Sequence, residues 1–444
     1  MSMITNAMSG LNAANVAMTV AGQNVANAAV DGYSRQAASF ATSNSSLGGV
    51  YVSSVDRIVD AFLNDDIWRT QSDLSYYQSK QTYLGYIEEI VGTDSLNFND
   101  AVTKITNAFN AAASTPDSDA YRQQVISSSK AMLQDLAQMD GALSGQLDKL
   151  SLEMTNLALN TTSSAKQIAD VNKSIVQAQA NQQPSAELKD KREQLIKELS
   201  AQIGIAVTDR ADGSLDISTL SGAPLVIGTS PATVSVSGTV VATQYNGQTF
   251  ALNEHVGGKF GGLISADLQV IKPTVEKLNE LVKSFADDVN NALSQGFDLN
   301  GDAGIALFTY NAANPLSTIN INPEMSVDKL ALTGGEYDAS GNWIAAGGPG
   351  DNGNIANIIT AIQSNDDGFS VLVGDLGIAS KQNQNSATTS DVLHNNAVLA
   401  RDSRSGVNLD EEAANLMHFQ QMYSANAKVI TTADQVFNTL LSMF

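Results

Sequence analysis

The stretch "MITNAMSGLNAANVAMTVAGQNVANAAVDGYSRQ", residues 3–36, decides the fold, because its first charged side chain, Asp31, arrives only after thirty uncharged residues. A secretory signal needs a basic start and an unbroken apolar run, and this stretch has neither: it carries no Lys or Arg before Arg35 and keeps inserting Thr, Asn and Ser. For the same reason it is no membrane span. Its polar residues are spaced. Ile4, Leu11, Met18 and Val25 recur every seventh residue, as do Ala7, Ala14, Ala21 and Ala28, and the two series are the a and d positions of four heptads. Alanine alternating with larger side chains lets a partner helix approach closely. The pattern predicts a helix that stops near Ala28, with Gly32 placed for the chain reversal that follows.

The other end repeats the pattern. Leu409, Leu416, Tyr423, Ile430, Phe437 and Phe444 form one heptad row, with Phe419, Ala433 and Leu440 in the neighbouring row, which Glu412 and Asn426 interrupt. Asp410, Glu411 and Glu412 suit the positive end of a helix dipole, and Asn408 is placed to cap it. Burying the four large a-position side chains of the first helix offsets too little of the entropy lost on ordering its backbone. The two ends are therefore expected to be weakly ordered in the isolated chain and to fold on assembly, pairing with each other and with other copies.

Between the ends, residues 57–92 and 98–112 read as helices, and a three-four apolar pattern from Tyr121 through Met132, Leu143, Met154 and Ile175 predicts a proline-free rod of about 60 residues, roughly 90 Å long. Pro184 ends it, and Ser185 is placed to cap a further helix. After Ile205 the texture changes to short β-branched runs with turn signals at 212–213 and Asn246-Gly247. Helix returns over 268–289 and 353–404, with strand candidates at "STININ" (317–322) and "GNWIAA" (341–346). The expected fold class is mainly α with an inserted β domain: terminal helices forming an N/C coiled coil (1–34 plus 405–444), a long helical-bundle domain (35–205 plus 260–296 plus 353–404), and a small outer β domain (206–259 plus 297–352).

Chemistry is sparse. The chain has 444 residues, 46 acidic and 24 basic side chains and a formal charge of −22, which repels nucleic acid. It has no cysteine, so disulfides and thiolate metal sites are excluded, and His255, His394 and His418 lack metal-ligand spacing. "DLNGDAG", 298–304, begins like a calcium loop through Asp298, Asn300 and Asp302, but Ala303 replaces the turn glycine and Thr309 the bidentate Glu, so it reads as a plain turn. No zinc, phosphate-loop or nucleophile-elbow motif is present, and no catalytic residue, cofactor or metal is expected.

The two ends together, "LNAANVAMTVAGQNVANAAVDGYSRQ" (11–36) and "SGVNLDEEAANLMHFQQMYSANAKVITTADQVFNTLLSMF" (405–444), closely resemble the paired terminal motifs of the bacterial flagellar axial proteins, the rod, hook and hook-associated family. Ser34-Arg35-Gln36 after Gly32-Tyr33, the run 408–412, and Phe419-Gln420-Gln421 favour the hook-associated members at the junction of hook and filament over hook and rod proteins. Within the turn, Gly32, Tyr33 and Arg35 match the family, while Ala29-Val30-Asp31 replaces its usual Asn-Thr-Pro. The insert also looks small for the family, which implies one outer β domain instead of two.

What the resemblance implies is a structural protein, exported unfolded through the flagellar type III apparatus without a cleaved signal. It would lie outside the cell as a ring of self-associated subunits between hook protein and a second junction protein. The N-helix row (Ile4, Ala7, Leu11, Ala14, Met18, Ala21, Val25, Ala28) and the C-helix row (Leu409, Leu416, Phe419, Tyr423, Ile430, Phe437, Leu440) would form the assembly interface. A cytoplasmic chaperone would hold the C-helix before export, on the stripe Leu416, Phe419, Tyr423, Ile430 and Phe437.

Overall fold

The uncharged opening forms one helix, α1 (Ser2–Ala26), and the chain then doubles back in an antiparallel hairpin, β1 (Gln36–Thr42) and β2 (Val50–Arg57). The computed structural model describes residues 2–30, 32–43, 48–93, 96–181, 183–364 and 366–443, with the side chains of Ser2 and Asp366 outside the description. The hairpin departs from the sequence expectation, which ran from the first helix directly to a helix at residue 57. That helix, α2 (Ala61–Gly92), begins four residues later. Val50, Val52 and Val55 lie in a strand whose partner register slips between Ser39 and Phe40, and this bulge masks a simple alternation.

The remaining elements follow the expected order. They are α3 (Phe98–Ala112), α4 (Asp119–Ala180) and α5 (Ala186–Gln202), then strands β3 (Ile205–Asp209), β4 (Leu215–Thr219), β5 (Pro224–Ile227), β6 (Ser230–Pro231), β7 (Thr233–Ser237), β8 (Val240–Tyr245) and β9 (Gln248–Leu252). Helices α6 (Gly258–Ala266) and α7 (Lys272–Ser294) are joined by a π-helical turn, Asp267–Ile271. Short pieces follow: β10 (Phe308–Thr309), α8 (Pro315–Thr318), β11 (Asn320–Ile321), β12 (Gly335–Tyr337) and β13 (Trp343–Ala345). The chain closes with α9 (Ile355–Gln363), α10 (Asp366–Ser405) and α11 (Leu409–Leu441). Ser185 occupies the cap position of α5, but its side chain makes no capping bond.

The chain divides into two units, and α2, α4, α6 and α10 contribute residues to both. The first comprises 1–76, 157–261 and 388–444. It holds α1, the hairpin, α5, α11 and two antiparallel sheets, β3-β4-β5-β6 and β7-β8-β9. Asn246, at φ +47, and Gly247 form the two-residue turn that pairs β8 with β9, as the Asn-Gly signal predicts. Inside this unit Ile168 and Ile175 of α4, Leu195, Ile196 and Leu199 of α5, and Ile217, Leu225 and Val226 are buried. A buried polar clasp ties them. Asn172 donates to the carbonyls of Leu215 (3.0 Å) and Gly228 (2.7 Å), and Arg192 donates to Asn172 Oδ1 (3.0 Å) and the Gly213 carbonyl (2.8 Å). Burial lowers the Arg192 guanidinium pKa to about 10.

The second unit comprises 77–156 and 262–387. Its core is aromatic: Phe98 packs edge-on against Phe285 (ring centroids 5.5 Å apart) and lies near Phe369 (5.9 Å), and Phe285 meets Phe308 (5.7 Å). Strands β10 to β13 belong to this unit, whereas β3 to β9 belong to the first. The sequence reading grouped both β-rich segments in a single outer domain.

Candidate assembly site at the two chain ends

Helix α1 buries its small side chains. Ala7, Gly10, Ala13, Ala14, Ala17, Val20, Ala21 and Asn24 are buried, while Ile4, Leu11 and Met18 are half-buried and Val25 is exposed. Ala28 lies two residues beyond the helix end and is exposed. The alanine row Ala7, Ala14 and Ala21 thus faces inward, and the larger a-row is only partly covered. Such a face permits close approach of a second helix, and α11 is the helix that takes it.

Two contacts fix the pairing. Asn24 Nδ2 donates to Glu412 Oε2 at 3.1 Å, and Gly10 lies so close to Asn426 that a Cβ at residue 10 would stand 2.8 Å from its amide oxygen. Moving fourteen residues back along α1 moves fourteen residues forward along α11, so the two helices run antiparallel. Extending this register brings Met3, in the first turn of α1, level with Ala433. Residues 434–443 continue beyond it, all exposed, and include Val436, Phe437, Leu440, Leu441 and Met443. Among the expected C-helix residues, Leu416, Phe419 and Ile430 are half-buried, while Leu409, Tyr423, Phe437 and Leu440 are exposed. Phe444 lies outside the described residues.

Asn24, 1 % exposed, is the centre of a polar knot at the end of α1. Its Nδ2 also donates to the Gln36 carbonyl (2.9 Å), and its Oδ1 accepts from the Gln36 N–H (2.9 Å) and the Tyr33 hydroxyl (2.9 Å). Burial is the main cause that raises the Tyr33 pKa above the ordinary phenol value. Gly32 has φ +78, a left-handed conformation that glycine adopts without strain, and this turns the chain toward the hairpin. Asp31, where the chain departs from the family pattern, lies outside the described residues.

Arg35 joins the same knot. It pairs with Glu411 (2.6 Å) and Glu412 (3.0 Å), and its N–H donates to the Ser405 carbonyl (2.9 Å). Asn408 caps α11 by accepting from the N–H groups of Asp410 and Glu411. Arg57, at the end of β2, reaches Ser34 Oγ (3.0 Å), Asp190 (2.8 Å) and Glu193 (2.6 Å), which fastens the turn to α5. Burial raises the Asp190 pKa, and the Arg57 charge opposes that rise. The hairpin lies along α1, with the Val50 N–H donating to Ser9 Oγ (3.1 Å) and Phe40 near Phe419 (6.2 Å).

The sequence reading named Ala7, Ala14, Ala21, Leu416, Phe419, Ile430, Gly32, Tyr33 and Arg35, and the structure brings these to one region. It missed Gly10, Ala17 and Asn24, a second heptad series three residues after the alanines, and it read Glu412 and Asn426 as interruptions. They are the residues facing α1. The signal was present in their common heptad spacing.

Elsewhere the geometry is that of turns and packing. Asp298 Oδ1 accepts from the N–H groups of Asn300 (2.8 Å) and Asp302 (2.9 Å), so its carboxylate caps its own loop. Among the described residues no group of three or more His, Cys, Asp or Glu is arranged to hold a metal ion, and no helix is long and apolar enough to cross a membrane. His394 contacts Thr70, His418 lies beside Phe419, and His255 is exposed.

The chain is similar to known proteins. The family model described as "Flagellar hook-associated protein FlgK helical domain" matches residues 84–308, and that described as "Flagellar basal body rod FlgEFG protein C-terminal" matches 401–443. These matches define a structural protein of the bacterial flagellum and not an enzyme. The first spans just over half the chain, and the chain belongs to the flagellar hook-associated protein FlgK family. The "Flagellar hook-associated protein 1" of Escherichia coli (strain K12) is 27% identical, with 100% of both chains covered. That of Bacillus subtilis (strain 168) is 24% identical, covering 99% of this chain and 97% of the relative. The E. coli alignment runs to 545 positions, longer than this chain, so that relative carries stretches absent here. A solved chain, the flagellar hook junction protein FlgK from Burkholderia pseudomallei, superposes with a TM-score of 0.67 over 77% of this chain and 100% of its own, at 14% identity, which establishes the likeness of fold.

Proposed function

We propose that this chain is a structural subunit of the junction between flagellar hook and filament, assembling as a ring of copies through α1 and α11. The observation that carries the proposal is the terminal pair itself. In a protein of charge −22, α1 carries no charged residue, and its larger apolar side chains are left half-covered. Such a surface gains most when further copies exclude water from it. The names of the curated relatives support the junction reading. Hook protein on one side and a second junction protein on the other are the axial neighbours this reading assigns, with the assembled ring outside the cell.

Before assembly, a cytoplasmic chaperone would take α11 by Leu416, Phe419, Tyr423, Ile430 and Phe437, and the type III apparatus would export the chain without removing a signal. Leu416, Phe419 and Ile430 are half-covered within the chain's own fold. Chaperone and α1 therefore compete for one face of α11. The exposed overhang, 434–443, would order fully only on assembly.

Deleting the gene tests the junction role. Cells should still build hooks but shed filament subunits into the medium, and loss of the hook itself would overturn the proposal. A second reading, a rod or hook subunit, is favoured by the match of 401–443 to the rod-protein family model. It predicts that the purified chain polymerises into long tubes unaided, which a junction subunit does not.

A further inference from the structure

The terminal seam contains a repeat that cannot by itself define how α1 and α11 align. Ala7, Ala14 and Ala21 are identical residues at heptad spacing, so sliding α1 by seven residues replaces alanine with alanine. The second buried row is different at every step: Gly10, Ala17, Asn24. Its partners on α11, seven residues apart, are also different at every step: Asn426, Phe419, Glu412.

We propose that Asn24 with Glu412, and Gly10 with Asn426, are the residues that set the register of α1 against α11. The proposal rests on the reading of this pair as the assembly site, and it adds what fixes the length of α11 left free for other copies. Asn24 uses all its hydrogen-bonding capacity: two donors to Gln36 and Glu412, and two acceptor positions filled by Gln36 and Tyr33. Glu412, 2 % exposed, accepts from Asn24 on one oxygen and pairs with Arg35 on the other. A slip of one heptad shifts the helices by roughly 10 Å. In one direction it sets Asn24 opposite Phe419. In the other it sets Glu412 opposite Ala17 and Phe419 opposite Gly10. Either way a buried amide or carboxylate loses its partner across the seam, which is the costly outcome for a polar group out of water. One polar pair within an apolar seam is a known way to specify helix register. Here Gly10 adds a steric mark at the far end, since a Cβ at this position would stand 2.8 Å from the Asn426 amide and force that side chain to shift.

The chain has no cysteine, so cysteines placed at the exposed Met8 and Met417 can be spin-labelled uniquely in the purified full-length protein. Double electron–electron resonance should give one narrow distance for this parent. Asn24→Asp sets two carboxylates against each other, and the distribution should gain a component displaced by roughly 10 Å or lose its narrow peak. Adding Glu412→Gln supplies the amide donor from the other side; the Gln36 carbonyl, which Asn24 also serves, loses its donor in both variants, but that bond does not cross the seam, so N24D/E412Q should recover the parent distance. The rescue decides the matter even where the single variant unfolds its ends. A broad distribution in the parent, an unchanged distance in N24D, or a double variant that folds but does not recover the parent distance would each overturn the proposal. None of these outcomes depends on where the chain acts in the cell, which the deletion phenotype reads separately.

Discussion

The aromatic core of the second unit and the seam between the chain ends are built on opposite plans. In the core, Phe98, Phe285, Phe308 and Phe369 are buried with at most 3 % exposure, and they close on one another. In the seam the buried residues are mostly alanine and glycine, with Val20 and the polar pair Asn24 and Glu412, while Leu11, Met18, Leu416 and Phe419 are only half-covered and Phe437 and Leu440 are open. A core that hides its largest side chains is finished within one chain. A seam that hides its smallest and shows its largest gains most of its burial elsewhere.

Substitutions on the two sides should therefore have opposite signatures, and these are the largest effects expected. Phe285→Ala opens a cavity in a closed core and should cost about 3–5 kcal/mol in denaturant unfolding of the purified chain. Leu416→Asp or Ile430→Asp should cost far less, about 1 kcal/mol, since half of the side chain is already in water. In the ring the same aspartate would be buried unpaired. Cells carrying it should shed filament subunits as the deletion does. If either aspartate variant melted like an unfolded chain, the separation of closed body from open ends would fail.

How far this contrast can be read from sequence depends on the residue. The heptads of both ends, the 62-residue α4, the Asn246-Gly247 turn and the acidic cap of α11 follow from periodicity and turn chemistry, which are local. Periodicity assigns residues to faces, but it does not say which face meets which partner. Glu412 and Asn426 look like defects in an apolar row until Asn24 and Gly10 are seen opposite them. The β1–β2 hairpin was hidden by a bulge, and β10 and β12 by their length of two or three residues, whereas β11 and β13 fall within the strand candidates at 317–322 and 341–346. Assigning the β-rich segments to separate units requires contacts distant in sequence, which no local pattern carries.

A smaller effect should appear in amide exchange of the isolated chain. Residues 98–109, in the closed core, should exchange most slowly. Residues 10–24 should come next, held by the Asn24 knot but lacking a full apolar cover. Residues 434–441, all exposed, should exchange fastest. Protection of residues 4–28 equal to that of 98–109 would place α1 in the folded body and remove the distinction on which the assembly reading stands.

The smallest effect is acidification, and it should touch the body without altering the seam. His394 lies on the inner face of α10, where buried positions turn polar: Ser380, Asn383, Ser390, His394 and Arg401. Its Nδ1 lies 3.3 Å from Thr70 Oγ1 of α2. Burial lowers its pKa below the ordinary histidine value, and the Lys197 charge lowers it further. In the unfolded chain His394 titrates near pH 6.5. Between that value and the lower folded one the unfolded state binds more protons, so stability rises with pH in this window. The contribution is complete above about pH 6.5 and is lost as the pH falls through the folded value. Asp190 has the opposite sign, because burial raises its pKa and favours its protonated form in the fold. The pH profile of one protein therefore mixes the two, whereas the difference between the parent and His394→Gln isolates the histidine. That difference in urea midpoint should change between pH 7.5 and pH 5, with the parent losing the larger share on acidification. A constant difference across that range would mean that His394 is not held neutral by its surroundings, and the polar inner face of α10 would then be as open to water as the ends of the chain.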